Sequence, residues 1–242
     1  MSDSAASEAT RRKAAMVLPL IAIFAVGVFF DTSPVEEGQT VNGPVYCALV
    51  VARVIAVLAI VGFFWKSIAK TFPVEIDHWG WLAGVIGVVL WVVVCGWNVE
   101  RYVLDGLGFS TEWMEVRDAV NPFETYSGPA LIGFLLARFM LLALCIPVAE
   151  ELFLRGFVMR AVETENWHEL PLSGIGRLGW GAAVAYAVLT HPGEMVAAAL
   201  WFSMITVVMV RTGKFWNCVL AHAVTNLLLG IYVCYSGAWH LW

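Results

Sequence analysis

Residues 81–97 read WLAGVIGVVLWVVVCGW, a run without one charged side chain. A helix over this stretch would rise about 26 Å, close to the ~30 Å of bilayer hydrocarbon. Working outward, blocks of the same kind lie at 14–30, 44–65, 129–150 (continuing as helix to about 162), 178–191, 194–210 and 215–237. Over the 242 residues, 60% are apolar and 14% charged. Soluble domains run nearer ~45–50% and ~25%. That balance excludes a disordered chain, a nucleic-acid binder and an ordinary soluble enzyme. The expected fold is all-α: a polytopic transmembrane helical bundle of about seven spans. No repeat, linker or composition break divides it, so one membrane domain is expected over 1–242, with accessory spans in 1–128 and a core in 129–242.

Charge orients the bundle. Arg11, Arg12 and Lys13 precede the first segment, Lys66 and Lys70 follow the second, Arg155, Arg160 and Arg177 follow the fourth, and Arg211 and Lys214 follow the sixth. The alternate loops are acidic or nearly uncharged, carrying Asp31, Glu36, Glu37 and Glu194, and the long third loop is net acidic. Basic residues on alternate sides place the N-terminus in the cytoplasm and the C-terminus outside. Trp79, Trp81 and Trp97 bracket the third segment as interfacial anchors, and Trp239 and Trp242 do so for the last. The net charge of −5 sits on loops and says little about partners beyond the bilayer itself. Cys47, Cys95, Cys145, Cys218 and Cys234 are scattered through apolar stretches without a CxxC, so they read as small buried hydrophobes. The basic start lacks a small-x-small cleavage site, so the first segment is expected to be retained.

Ionisable and amide groups in apolar segments are costly and need a reason. Arg53 and Arg138 read as snorkelling side chains or interhelical partners. Glu150, Glu151 and Arg155 close the fourth segment, and on a regular helix Glu151 and Arg155 face each other at i and i+4. Glu150 turns about 100° away from its neighbour. Two adjacent carboxylates in low dielectric do not both ionise comfortably, which leaves one structural carboxylate and one suited to proton transfer. The plainer alternative is an interfacial salt-bridge patch. His222 and Asn226, again i and i+4, can reach a single oxygen, as an oxyanion site requires, or can hydrogen-bond between helices. His191 precedes Pro192-Gly193, where a helix must bend or stop.

In this order the residues resemble the CPBP family, the intramembrane endopeptidases that include the type II CAAX prenyl endopeptidases and the bacteriocin-processing or immunity (Abi) proteins. The family pattern is Glu-Glu-x3-Arg, then Phe-x3-His, then His-x3-Asn/Asp. The chain has Glu150-Glu151-x3-Arg155, His191, and His222-x3-Asn226. Ala187 stands at the usual aromatic position of the second motif, with Tyr186 beside it. The match covers roughly 134–242. Within it, Arg211-Thr212-Gly213 and Leu220 through Tyr232 are similar to the bacterial exosortase-associated, CAAX prenyl protease-related subgroup.

The resemblance implies a glutamic-type endopeptidase in a bacterial inner membrane, acting on a membrane-associated protein or peptide. Glu150 and His191 would activate water, His222 and Asn226 would hold the oxyanion, and Glu151 with Arg155 would support the helix. Bacteria generally lack prenylated CAAX proteins, so the family name does not name the substrate. No cofactor is implied. Zinc on Glu150, His191 and His222 is the alternative, but the HExxH spacing that preorganises such sites is absent. A catalytically silent scaffold or immunity-like protein and a proton-coupled transporter are the competing functions, and a transporter would more often show inverted repeats. One tension stands: Glu150 falls toward the cytoplasmic end of its span, whereas 177 to 191 rises about 21 Å and carries His191 past mid-membrane.

Overall fold

A computed structural model describes residues 3–29, 43–111 and 121–241. Apart from short turns, the described residues form helices: α1 (Asp3–Phe29), α2 (Gly43–Thr71), α3 (His78–Gly96), α4 (Val99–Gly106), α5 (Pro122–Thr125), α6 (Gly128–Met140), α7 (Ile146–Phe153), α8 (Met159–Ala161), α9 (Arg177–Thr190), α10 (Met195–Thr212) and α11 (Phe215–Ser236). No strand occurs among the described residues. Among the described residues, five helices are long and apolar enough to cross a membrane: α2, α3, the 34-residue run Gly128–Ala161, α10 and α11. The expected first segment lies in α1. The expected fifth forms α9, whose 14 residues rise only about 21 Å, short of the ~30 Å hydrocarbon layer. Trp79 and Trp81 are exposed at one end of α3 and Trp97 at the other, as interfacial anchors are. Trp242, Asp31, Glu36 and Glu37 lie outside the described residues.

The chain forms two compact units, each assembled from separate segments. The first comprises Met1–Val74, Asp118–Phe153 and Gly230–Trp242. Here α1 packs on α2 and on α7, and α2 packs on α6. Arg53 donates from Nε to the Ile23 carbonyl at 3.2 Å, so it serves as an interhelical donor. Tyr126 donates its hydroxyl to the Gly43 carbonyl at 2.6 Å and stacks on Phe134 at 4.6 Å.

The run from α6 to α8 is not a regular α-helix. Leu141–Cys145 and Leu154–Val158 are π-helical and flank α7 on both sides. Pro147 accounts for the first. It has no N–H for the Ala143 carbonyl, and its ring crowds that oxygen, so the ladder shifts to i→i+5 bonding just upstream. Turns of this kind re-aim side chains and are frequent at functional sites.

The second unit comprises Glu75–Arg117 and Leu154–Leu229. In it α10 packs on both α3 and α9. The α3–α11 contact depends on glycine. A Cβ at Gly84 would fall 2.6 Å from Val224 Cβ and 2.9 Å from the Ala221 carbonyl, so no other residue allows the two backbones to approach this closely, the small-residue packing common between membrane helices. Gly213, at φ +66°, ends α10 as a left-handed cap. Glu100, buried on α4, accepts from the Ala197 amide at 3.2 Å. It thereby satisfies an orphan N–H in the first turn of α10 and sets a negative charge on that helix's positive end.

Asp77 pins the start of α3 to the start of α11. It caps α3 through the Trp79 amide at 3.0 Å, accepts from the Asn217 amide at 2.9 Å and pairs with Lys214 at 3.1 Å. Partial burial pushes its carboxyl up, but the Lys214, Trp79 and Asn217 donors together outweigh this and hold it below the ordinary range. A depressed folded-state value stabilises the fold fully above the unfolded carboxyl value of about 3.9 and is lost as pH falls through the folded value. Thermal unfolding in detergent should therefore show an acid-side fall in Tm below about pH 4 that is reduced in Asp77→Asn. An equal fall in the variant would remove Asp77 from this role.

Candidate active site

Glu150 and Glu151 lie on α7 in the first unit, Glu150 half-buried and Glu151 fully buried. Arg155, His191, His222 and Asn226 belong to the second. Arg155, four residues after Glu151, sits within the π-helical turn Leu154–Val158.

Arg155 is fully buried, with its guanidinium carbon 5.5 Å above the Phe202 ring and Nη2 donating to the Phe202 carbonyl at 3.3 Å. A buried cation needs such partners: the ring face meets its charge and the carbonyl takes a proton donor. Arg155 thus holds α10, a contact the Glu-Glu-x3-Arg spacing did not foretell.

His191 is the residue immediately after α9, half-buried, as Pro192-Gly193 led one to expect. Its Nδ1 lies 3.1 Å from the Ala187 carbonyl and 2.9 Å from Thr190 Oγ1. A carbonyl can only accept, and the Thr190 hydroxyl donates to the Tyr186 carbonyl at 2.8 Å. The Ala187 carbonyl therefore requires a proton on Nδ1, so that the neutral ring carries its lone pair on Nε2. Because the backbone of residue 187 makes this bond, alanine serves there. The aromatic surroundings of His191 come from Trp91 at 5.4 Å and Phe202 at 5.9 Å.

His222, buried on α11, meets the Trp201 ring edge-on at 4.7 Å and lies 6.4 Å from Phe202. Asn226 follows one turn later on the same helix face, half-buried. The Phe202 ring therefore contacts Arg155, His191 and His222 together, and Tyr186 at 5.9 Å. A motif search over ionisable residues misses Trp91, Trp201 and Phe202. An aromatic residue inside an apolar span carries no signal of its own, so only the contacts single these three out. Among the described residues, no group of three His, Cys, Asp or Glu side chains is placed to hold a metal ion.

The segments bearing Glu150-Glu151, His191 and His222 follow one another in the order of a known pattern. Residues 132–228 match the family model for type II CAAX prenyl endopeptidase Rce1-like proteins. The Rce1-like segment spans less than half of the chain but contains Glu150, Glu151, Arg155, His191, His222 and Asn226. It also contains Trp201, Phe202 and Tyr186. Helices α1 to α3 lie outside it, although α3 packs on α10 within the second unit. No curated protein and no solved structure matches the chain.

Proposed function

We propose that the chain is an intramembrane endopeptidase that hydrolyses a peptide bond of a membrane-associated protein or peptide. The observation that carries this reading is the Rce1-like match, which takes in all six motif residues in family order. The Nδ1 contact of His191 with the Ala187 carbonyl supports it, because the neutral ring then has Nε2 to take a proton. In this mechanism Glu150 and His191 draw a proton from water as it attacks the peptide carbonyl, and that proton passes to the leaving amine as the C–N bond breaks. His222 and Asn226 donate to the oxygen as negative charge develops on it. Glu151 and Arg155 hold the helix rather than touch the substrate. The resemblance of 211–232 to the exosortase-associated subgroup is the ground for proposing a bacterial inner membrane as the location. Comparison of mature membrane-protein N-termini in cells with and without the gene tests this reading. At least one terminus should vanish and its uncleaved precursor accumulate. Identical sets of termini would overturn it.

The reaction on this proposal uses no metal, because the histidines and glutamates lack the HExxH spacing that preorganises zinc. Cleavage by the purified protein is expected to survive strong chelators unchanged. Loss with chelator and recovery with stoichiometric zinc would establish the metalloprotease alternative.

A further inference from the structure

Trp201 is 2% exposed and sits in the apolar interior of the second unit. A buried indole N–H needs an acceptor. Here Nε1 donates to Thr225 Oγ1 at 3.1 Å, and Thr225 in turn donates to the Gly84 carbonyl at 3.0 Å. The position on α3 that faces this pair is Gly87, where a Cβ would lie 2.5 Å from both Trp201 Nε1 and Thr225 Oγ1. The absence of a side chain at 87 is what admits the indole. The same ring meets His222 edge-on at 4.7 Å, within the range of attractive aromatic contacts. His222 and Thr225 are i and i+3 on α11, neighbours on one helix face. The indole is thereby attached to α11 at two points, through its N–H to Thr225 and through its ring to the imidazole.

We propose that Trp201 is a positioning residue that holds the His222 imidazole in one orientation, with Thr225 as its anchor. Phe202, the next residue on α10, extends the same wall to His191, and Arg155 holds Phe202 through its ring and carbonyl. Consecutive side chains of one helix turn thus support both histidines. Preorganisation of this kind decides rates, because a displacement of about 1 Å at a reacting group can cost about 10²-fold. The catalytic meaning of the device rests on the proposed role of His222 as an oxyanion donor. Its existence does not.

The test uses the full chain in lipid nanodiscs, labelled at histidine with 13C and 15N. The chain has five histidines, so His222→Ala identifies the His222 ring signal by its disappearance. In the wild type that signal should be single and displaced by the Trp201 ring current. Thr225→Val keeps the volume but removes the anchor, and should split or broaden the His222 signal while leaving His168 and His240 unmoved. Trp201→Phe, which keeps a ring without the N–H, should give the same splitting. Trp201→Leu should abolish the displacement. A His222 signal that stays single and at its wild-type position in Thr225→Val and Trp201→Phe would overturn the proposal. Should Trp201→Leu fail to fold, those two milder variants still decide it. The protease reading fails separately, through cleavage that survives His222→Ala.

Discussion

Glu150→Gln is expected to abolish cleavage while the protein stays folded, membrane-inserted and able to bind its substrate. Glutamine keeps the shape of glutamate but cannot take a proton from water, so the loss falls on the chemical step and not on binding. Glu150 is half-buried on α7, so the neutral side chain relieves desolvation and the variant should express at normal levels. Removing His191 should resemble removing Glu150, and the double variant should be no worse than either, since two groups acting on one water are not additive. Arg155 provides the contrast. It is fully buried, bonded to the Phe202 carbonyl and set over the Phe202 ring. Arg155→Ala should therefore lower expression or thermal stability, as should Glu151→Gln at a fully buried position. A silent scaffold predicts the reverse pattern. Accumulated precursor in cells carrying Glu150→Gln decides for the protease, and normal biological function at normal protein levels decides for the scaffold.

Hydropathy made most of the fold legible, because a helix in lipid must satisfy every backbone group within itself and so announces its length in apolar residues. The end of α9 at His191 was legible for a similar reason: Pro192-Gly193 cannot continue a helix. Glu100 was not. It stands in a loop of mixed charge and reads as a solvated carboxylate, yet it is buried against the first turn of α10. Only the fold supplies the N–H that it satisfies. Of the two π-helical turns, only the first has a cue in the sequence. Pro147 signals a disturbed ladder, but whether a helix kinks, breaks or shifts to i→i+5 bonding depends on its neighbours. At the candidate site the ionisable residues stood out because each is expensive in an apolar run. Trp201 and Phe202 did not, because an aromatic residue in an apolar span breaks no rule. Their importance comes from what they touch, and contacts between α10, α9 and α11 are not written in spacing.

His222→Ala and Asn226→Ala should each lower the rate by about 10²–10³, the usual cost of one oxyanion donor. The geometry distinguishes the two. His222 is buried and held at 4.7 Å by Trp201, so its truncation opens a cavity beside the indole as well as removing a donor. Some loss of thermal stability should accompany its loss of rate. Asn226 is half-buried, and its truncation should leave stability nearly unchanged. Asn226→Asp is the sharper probe. An aspartate there keeps the volume but presents negative charge to an oxygen that is itself becoming negative, so the oxyanion reading expects a loss at neutral pH at least as large as for alanine. The family pattern tolerates either residue at this position, which sets up the opposing result. If Asn226→Asp retains near wild-type activity, the side chain does not donate to a developing oxyanion. It would then act by fixing His222 one turn away, and the donor role would rest on His222 alone.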